Sequence, residues 1–296
     1  VAGTSSFILG ANSANVVLDH ASNAFSGAVT LLAGAGGSQA FGNVTFVDDS
    51  AVKIDANADA AGDLYLNAGT DGAVGGNLAV TATTGNITQG VAVAVTGTSA
   101  FTTSASDATI TLGTTTNALG GTVAFTTAGT AGNVVIDNGT TGLDLAASTI
   151  SGTLTATGGA SAGIVDSGNV AVAGNVTLTT DAGNGVINMG TLQQSAGDLI
   201  LVTNGNGAAT VVNNAAIDFG TSNVGGALDV TASAGTITQN GGALTVAGTS
   251  AFTTSTNDQA ITLSNTTNAL TGAVAFTTGG TTGNVVIDNG TTGLDL

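Results

Sequence analysis

The fourteen residues GNVVIDNGTTGLDL occur at 132–145 and again at 283–296, 151 positions apart. Around them, Thr98–Leu145 and Thr249–Leu296 agree at 38 of 48 positions, and the differences fall almost entirely among Ala, Ser, Thr, Gly, Asn and Gln. Val123/Val274, Phe125/Phe276, Val134/Val285 and Ile136/Ile287 are unchanged. Large apolar residues that stay fixed while small polar ones drift mark an inside and an outside. Upstream the match continues with one slip: GNLAVTATTGNITQ (76–89) resembles GALDVTASAGTITQ (226–239) at an offset of 150. Weaker echoes reach the start, where ANVVLD (14–19) repeats the sense of GNVVID (132–137) and NAFSGAVTL (23–31) that of NALGGTVAF (117–125).

Inside the long repeat lies a shorter one. Apolar-alternating segments centre near Leu228, Ile237, Leu244, Phe252, Ile261, Val274, Val285 and Leu294, about nine residues apart and bounded by Gly, Asn or Asp, as short strands between turns are. In AVAFTT (273–278) Val274 and Phe276 face one way and Ala275 and Thr277 the other. Composition agrees. Charged residues are only 6%, every acidic residue is Asp, and Glu, Arg, Pro, Cys and Trp are absent. Without Glu and Arg, and with one Lys, amphipathic helix surfaces cannot be written, whereas Thr, Val, Gly and Asn suit strands and turns. The chain is expected to be all-β.

Two architectures fit short strands and a long repeat: a string of β-sandwiches and a parallel β-helix. Sandwich arrays repeat at about 100 residues around large aromatic cores, whereas this chain has a 151-residue repeat and no Trp. Absence of Pro suits strands flanked on both sides, and Asn and Gly suit coil corners. The expectation is a single continuous β-helix over 1–296, in which 76–145 matches 226–296, with coils of about 20 residues. About fifteen such coils at ~4.8 Å each would extend on the order of 70 Å.

Segments such as ITLSNTTNALTGAVAFTTGGTTGNVVIDNG (261–290) resemble the repeat regions of filamentous-haemagglutinin-like bacterial exoproteins and giant β-strand-repeat adhesins. The likeness is one of texture and of the N-A-L/F-x-G-x-V phrase, over most of the chain. It implies a right-handed parallel β-helix, export to the cell surface and a stalk or adhesive role. Two-partner-secretion members carry Asn-Pro motifs in an N-terminal recognition domain, and this chain contains no Pro, so that export route has no support in the sequence.

Charge narrows the partners. A formal net charge of −17 leaves almost nothing to neutralise phosphates and disfavours an anionic membrane surface. No apolar run reaches the ~18 residues of a membrane helix, and 3% aromatics are too few for the girdles of a membrane barrel. Nucleic acid and a membrane span are therefore not expected. Absence of Cys excludes a disulfide framework. Val1 begins inside the pattern with no apolar signal segment, so targeting information is expected outside this stretch.

The sharpest local signal is DANADAAGD, giving Asp55, Asn57, Asp59 and Asp63. Alternating oxygen ligands are what a calcium loop uses, although Ala60 stands where its Gly belongs and Leu66 where a bidentate Glu belongs. The same residues also read as a polar turn with Lys53 as counter-charge. No cofactor is required, and Ca²⁺ is the one candidate. DNGTTGLD (137–144 and 288–295) reads as a turn before a cation site, and GTDGAVGG (69–76) as a corner, lacking the Lys of a phosphate loop. An enzyme is not expected. His20 has only its neighbour Asp19 for a triad, and Asp48-Asp49 imitates a glycosidase pair with only Lys53 to bind an acidic sugar. Threonines in TIT (109–111), TLTAT (153–157) and TLTT (177–180) would form a hydroxyl ladder for ice or carbohydrate if aligned, or simply occupy outward strand positions.

The expected function is structural: a segment of an exported bacterial fibre or adhesin stalk at the cell surface or in extracellular matrix. It would associate end to end or laterally, or continue in a longer parent chain. The alternatives are a self-assembling sheath or surface-layer protein, and an adhesive module that binds calcium or glycan on a host or biofilm surface.

Overall fold

Alternation of apolar and polar residues decides which side of each strand is buried, and the turns decide where each strand stops. In the computed structural model, which describes residues 1–296 apart from 35–38, 59, 68–72, 160, 161 and 182, the regular structure is all β. Thirty-four strands of two to eight residues and no helix are found among the described residues. Contacts divide the chain into two units, Val1–Gly152 and Thr153–Leu296.

In the first unit strands stack in parallel ladders. Ile87, Ile110 and Val134 are successive partners in one ladder, and Leu78, Ser99 and Val123 in a second. A short third ladder joins Ala73–Val74, Ala94–Val95 and Ala118–Leu119. In the second unit Leu154, Val176 and Leu199 form one column, and Ile187, Ala209, Leu228, Ser250 and Val274 another. Successive partners are separated by one coil of the chain, so the fold is a parallel β-solenoid. Its coils average roughly 22 residues, in line with the expected coils of about 20, and number about 12 rather than fifteen.

The inward columns are Val, Ile, Leu and Phe, as the alternation requires. Val123, Phe125, Val134, Ile136 and Phe252 are all essentially inaccessible. Phe101 stacks on Phe125 with ring centroids 5.9 Å apart and planes at 20°. One repeat later Phe252 and Phe276 do the same at 5.7 Å and 18°. Each offset stack adds about 1 kcal/mol to the burial of the rings. Turns are closed by inward threonines. The Oγ1 atoms of Thr103, Thr127, Thr254 and Thr278 donate to carbonyls five residues ahead, at 2.8 to 3.3 Å.

One coil breaks the order. Val29–Ala33 pairs with Asp63–Asn67, which pairs with Val52–Asp55, which pairs with Ile87–Gln89. The later strand thus sits before the earlier one in the stack. In the neighbouring ladder Val44 pairs directly with Leu78, so the extra strand belongs to one face only. The connection 56–62 is far shorter than the dozen or more residues usual between adjacent parallel strands. It is also the segment that carries the calcium-like motif.

Candidate functional site

Lys53 and Asp55 lie two residues apart on one strand, hence on the same side of the sheet. Their side chains form an ion pair. The Lys53 hydrogen bond holds the Asp55 carboxyl below its ordinary range, opposed by burial and reinforced by the Ala56 N–H at 2.8 Å. Lys53 is about half exposed, so the pair contributes little to stability. Asp63 opens the next strand, directly opposite Lys53. It is 3% exposed, and its Oδ2 accepts the Ala60 N–H at 2.7 Å. A pocket of 280 Å³ lies beside it, lined by Val52, Lys53, Gly62, Asp63, Asn86 and Thr88 among others. Asn57 is exposed in the connection, and Asp59 lies outside the described residues. Asp55 pairs in register with Tyr65 rather than with Asp63, so these two carboxylates are diagonal neighbours. Among the described residues no three acidic or histidine side chains converge as metal ligands do.

The other motifs resolve into turns and braces. In DNGTTGLD, Asp137 Oδ1 accepts the Gly139 N–H at 2.8 Å, and Asp288 does the same for Gly290. Of GTDGAVGG, residues 69–72 lie outside the described residues, and Gly75 and Gly76 donate to Phe41 and Gly42 carbonyls of the preceding coil. His20 Nδ1 accepts the Ser22 N–H in a turn. Asp48 is buried, and its carboxylate accepts the Phe25 N–H (3.0 Å), the Asp49 N–H (2.9 Å) and the Ser50 hydroxyl (2.9 Å). Thr155 and Thr157 do align with Thr177 and Thr179, but the next coil offers Ile200 and Val202, so that ladder is two coils tall. A longer run, Thr81, Thr102, Thr126 and Thr149, lies in the first unit, and of these the Thr-x-Thr pattern marks only Thr81. A methyl-lined groove of 610 Å³ passes over Ala73, Ala94, Ala118 and Gly120. Thr245 and Thr271 stand at the second copy's equivalents of Ala94 and Gly120.

The residues that do the most recurrent work were not marked by any motif. Asn15 Oδ1 accepts the Asn43 N–H at 2.8 Å, Asn43 that of Asn77 at 2.9 Å, and Asn77 that of Thr98 at 2.9 Å. Each amide thus bonds to the corner of the next coil. Aspartates do the same at other corners. Asp107, at φ 63°, accepts the N–H groups of Thr130 (2.7 Å) and Ala131 (2.8 Å), and Asp258, its equivalent, those of Thr281 and Thr282 (both 2.8 Å). These bonds favour the ionised form and hold both carboxyls below their ordinary value. Gly129 and Gly280 sit at φ 90° and 80° beside these oxygens, where a Cβ would lie 2.4 and 2.3 Å from Oδ1. The readable signal was a recurrent Gly-Asn, within a strand at 42–43 and just before one at 76–77, 85–86, 132–133 and 174–175.

Coils alike in register, core and corner, repeated through both units, define a parallel β-solenoid repeat protein. The chain belongs to the family described as repeats of unknown function (DUF5649), which matches residues 1–32, 41–126, 131–202 and 205–277. Searches of the curated proteins and of the solved structures found no match. Among the described residues no helix is long and apolar enough to cross a membrane.

Proposed function

We propose that this chain is a structural segment of a long, exported bacterial β-helical fibre or adhesin stalk, acting as a spacer at the cell surface or in extracellular matrix. The observation that carries the reading is the use made of its polar residues. Asn15, Asn43, Asn77, Asp107 and Asp258 all direct their oxygens to the backbone of the adjacent coil. Polar groups that a binding surface would present outward are thus engaged in coil-to-coil cohesion. The resemblance to filamentous-haemagglutinin-like exoproteins and giant repeat adhesins supports the same role. The mechanism is mechanical: parallel ladders join each coil to its neighbours, apolar columns fill the interior, and no cofactor is required. Antibody labelling of intact source cells, with electron microscopy of the labelled material, tests it. Labelled surface filaments with a ~4.8 Å axial repeat are expected, and protein confined to the cytoplasm would overturn it.

A further inference from the structure

The two copies of the long repeat differ in length by one residue, and the structure places the difference in one turn. The offset is 150 up to Gln89 and Gln239, and 151 from Thr98 and Thr249 onward. Where the first copy runs from Gln89 into Gly90, the second inserts Asn240 before Gly241 and Gly242. This turn joins Ile237–Gln239 to Leu244–Val246. Asn240 and Gly241 are exposed, and a Cβ at Gly241 would meet nothing within 4 Å. Asn240 Nδ2 donates to Asp218 Oδ2, while Asp218 Oδ1 takes the Thr238 hydroxyl at 3.1 Å.

Asparagine followed by glycine is the dipeptide in which the next backbone nitrogen reaches the side-chain amide carbon with least obstruction, since glycine has no Cβ and the widest backbone freedom. Six such dipeptides occur, beginning at Asn138, Asn184, Asn204, Asn206, Asn240 and Asn289, and the structure ranks them. Asn138 is fully buried, its Nδ2 gives protons to Leu119 and Gly142 carbonyls, and the Gly139 N–H is tied to Asp137. Asn289 repeats this arrangement with Leu270, Gly293 and Asp288. Asn184 Oδ1 accepts the Asn206 N–H at 2.8 Å, and Gly185 is buried. The turn containing Asn204 and Asn206 is braced by Thr203 Oγ1 on the Gly207 carbonyl (2.7 Å) and by the Gly207 N–H on the Asn204 carbonyl (3.1 Å). Asn204 and Gly205 are exposed as well, with Asn204 Nδ2 on the Asp181 carbonyl at 3.4 Å, but Gly205 packs against Asn184, where a Cβ would lie 2.5 Å from Oδ1. Asn240-Gly241 combines exposure of both residues and a single side-chain tether with a glycine that no neighbour approaches.

We infer that Asn240 is a site of spontaneous covalent modification. The Gly241 nitrogen attacks Cγ of Asn240, its proton leaves with the Nδ2 nitrogen as ammonia, and the cyclic imide takes up one water to open as aspartate or isoaspartate. The product places a carboxylate against Asp218, where a hydrogen-bond donor stood. Asp198 is the register partner of Asp218 on the other side, so three carboxylates then meet on adjacent strands. Residues 153–296 contain no Lys, Arg or His to offset them. The modified turn therefore loses a bond and gains a repulsion that salt screens.

The test is to incubate the intact chain, folded and in denaturant, in warm, mildly alkaline buffer and to locate converted residues by mass spectrometry of peptic peptides. In the folded chain conversion is expected at Asn240 several-fold faster than at the other five sites, and in denaturant all six are expected to convert at similar rates. The same distribution in both conditions, or another site converting first in the folded chain, would overturn the inference. Asn240→Asp isolates the electrostatic consequence. Its thermal midpoint is expected below that of Asn240→Ser, with the gap closing at high salt, and equal midpoints at low salt would refute the repulsion.

Discussion

Asn117 receives the Val93 N–H (2.7 Å) and Gln89 Nε2 (2.8 Å) on Oδ1, and its Nδ2 protons go to Gln89 Oε1 and the carbonyls of Leu112 and Asp137. Asn268 repeats the arrangement with Gln239, Leu244, Leu263 and Asp288. Asn117→Leu would strand these buried partners, at about 1–3 kcal/mol each, so a large drop in thermal midpoint is expected by calorimetry. Ser99 and Ser250 present the opposite case. They are equivalent, buried, and their hydroxyls have no partner. Ser99→Ala is expected to stabilise by about 1 kcal/mol, and a loss of stability would show that the hydroxyl is bonded after all. Asp107 and Asp258 set the acid limb. Their folded pKa values lie below the ordinary 3.8, so they bind protons less readily folded than unfolded. Their contribution is complete above pH 3.8 and is lost as pH falls through the lowered values. Asp107→Asn with Asp258→Asn keeps an acceptor and a residue tolerant of positive φ. Acid melts of that variant are expected to show a flatter decline than wild type below pH 4.

At the level of strands, what was legible and what was not divides cleanly. The inward set Val123, Phe125, Val134 and Ile136 follows from period-two alternation, because a residue's side of the sheet depends only on its place in its own strand. The neighbour of a strand does not follow. VKID (52–55) and DLYLN (63–67) both declare an inside, yet nothing in either tells that the second inserts beneath the first. Similar text also occupies different ladders. Val16 of ANVVLD stands opposite Val44 in one, and Val134 of GNVVID opposite Ile110 in the other. The candidate site was legible as a run of oxygen ligands. The bonds those oxygens make were not, because their partners include main-chain N–H groups, which carry no letter. Strand order is testable because the chain has no Cys. Thr30 faces Tyr65 in register, so a Thr30→Cys, Tyr65→Cys pair is expected to form a disulfide on mild oxidation. A Thr30→Cys, Lys53→Cys pair is expected to stay reduced, and ready oxidation of that pair would restore simple chain order.

Across the molecule, Lys53 is the only Lys or Arg, and the peptide bond that follows it lies in a strand paired on both edges. Native protein is therefore expected to resist trypsin, and denatured protein to yield two fragments, 1–53 and 54–296. Rapid cleavage under native conditions would show that the out-of-order strand is not docked. The stacked rings of Phe101 on Phe125 and of Phe252 on Phe276 carry a further consequence, at the level of the gene. A coil recognises only the text of the coils beside it, and that text recurs nearly letter for letter 151 codons away. Misaligned recombination between the copies would join Phe101 to the chain after Phe252, or Phe252 to the chain after Phe101, and leave every contact at the junction of a kind the protein already makes. Length in such a lineage can then change between generations by whole blocks, while the folding problem stays the same.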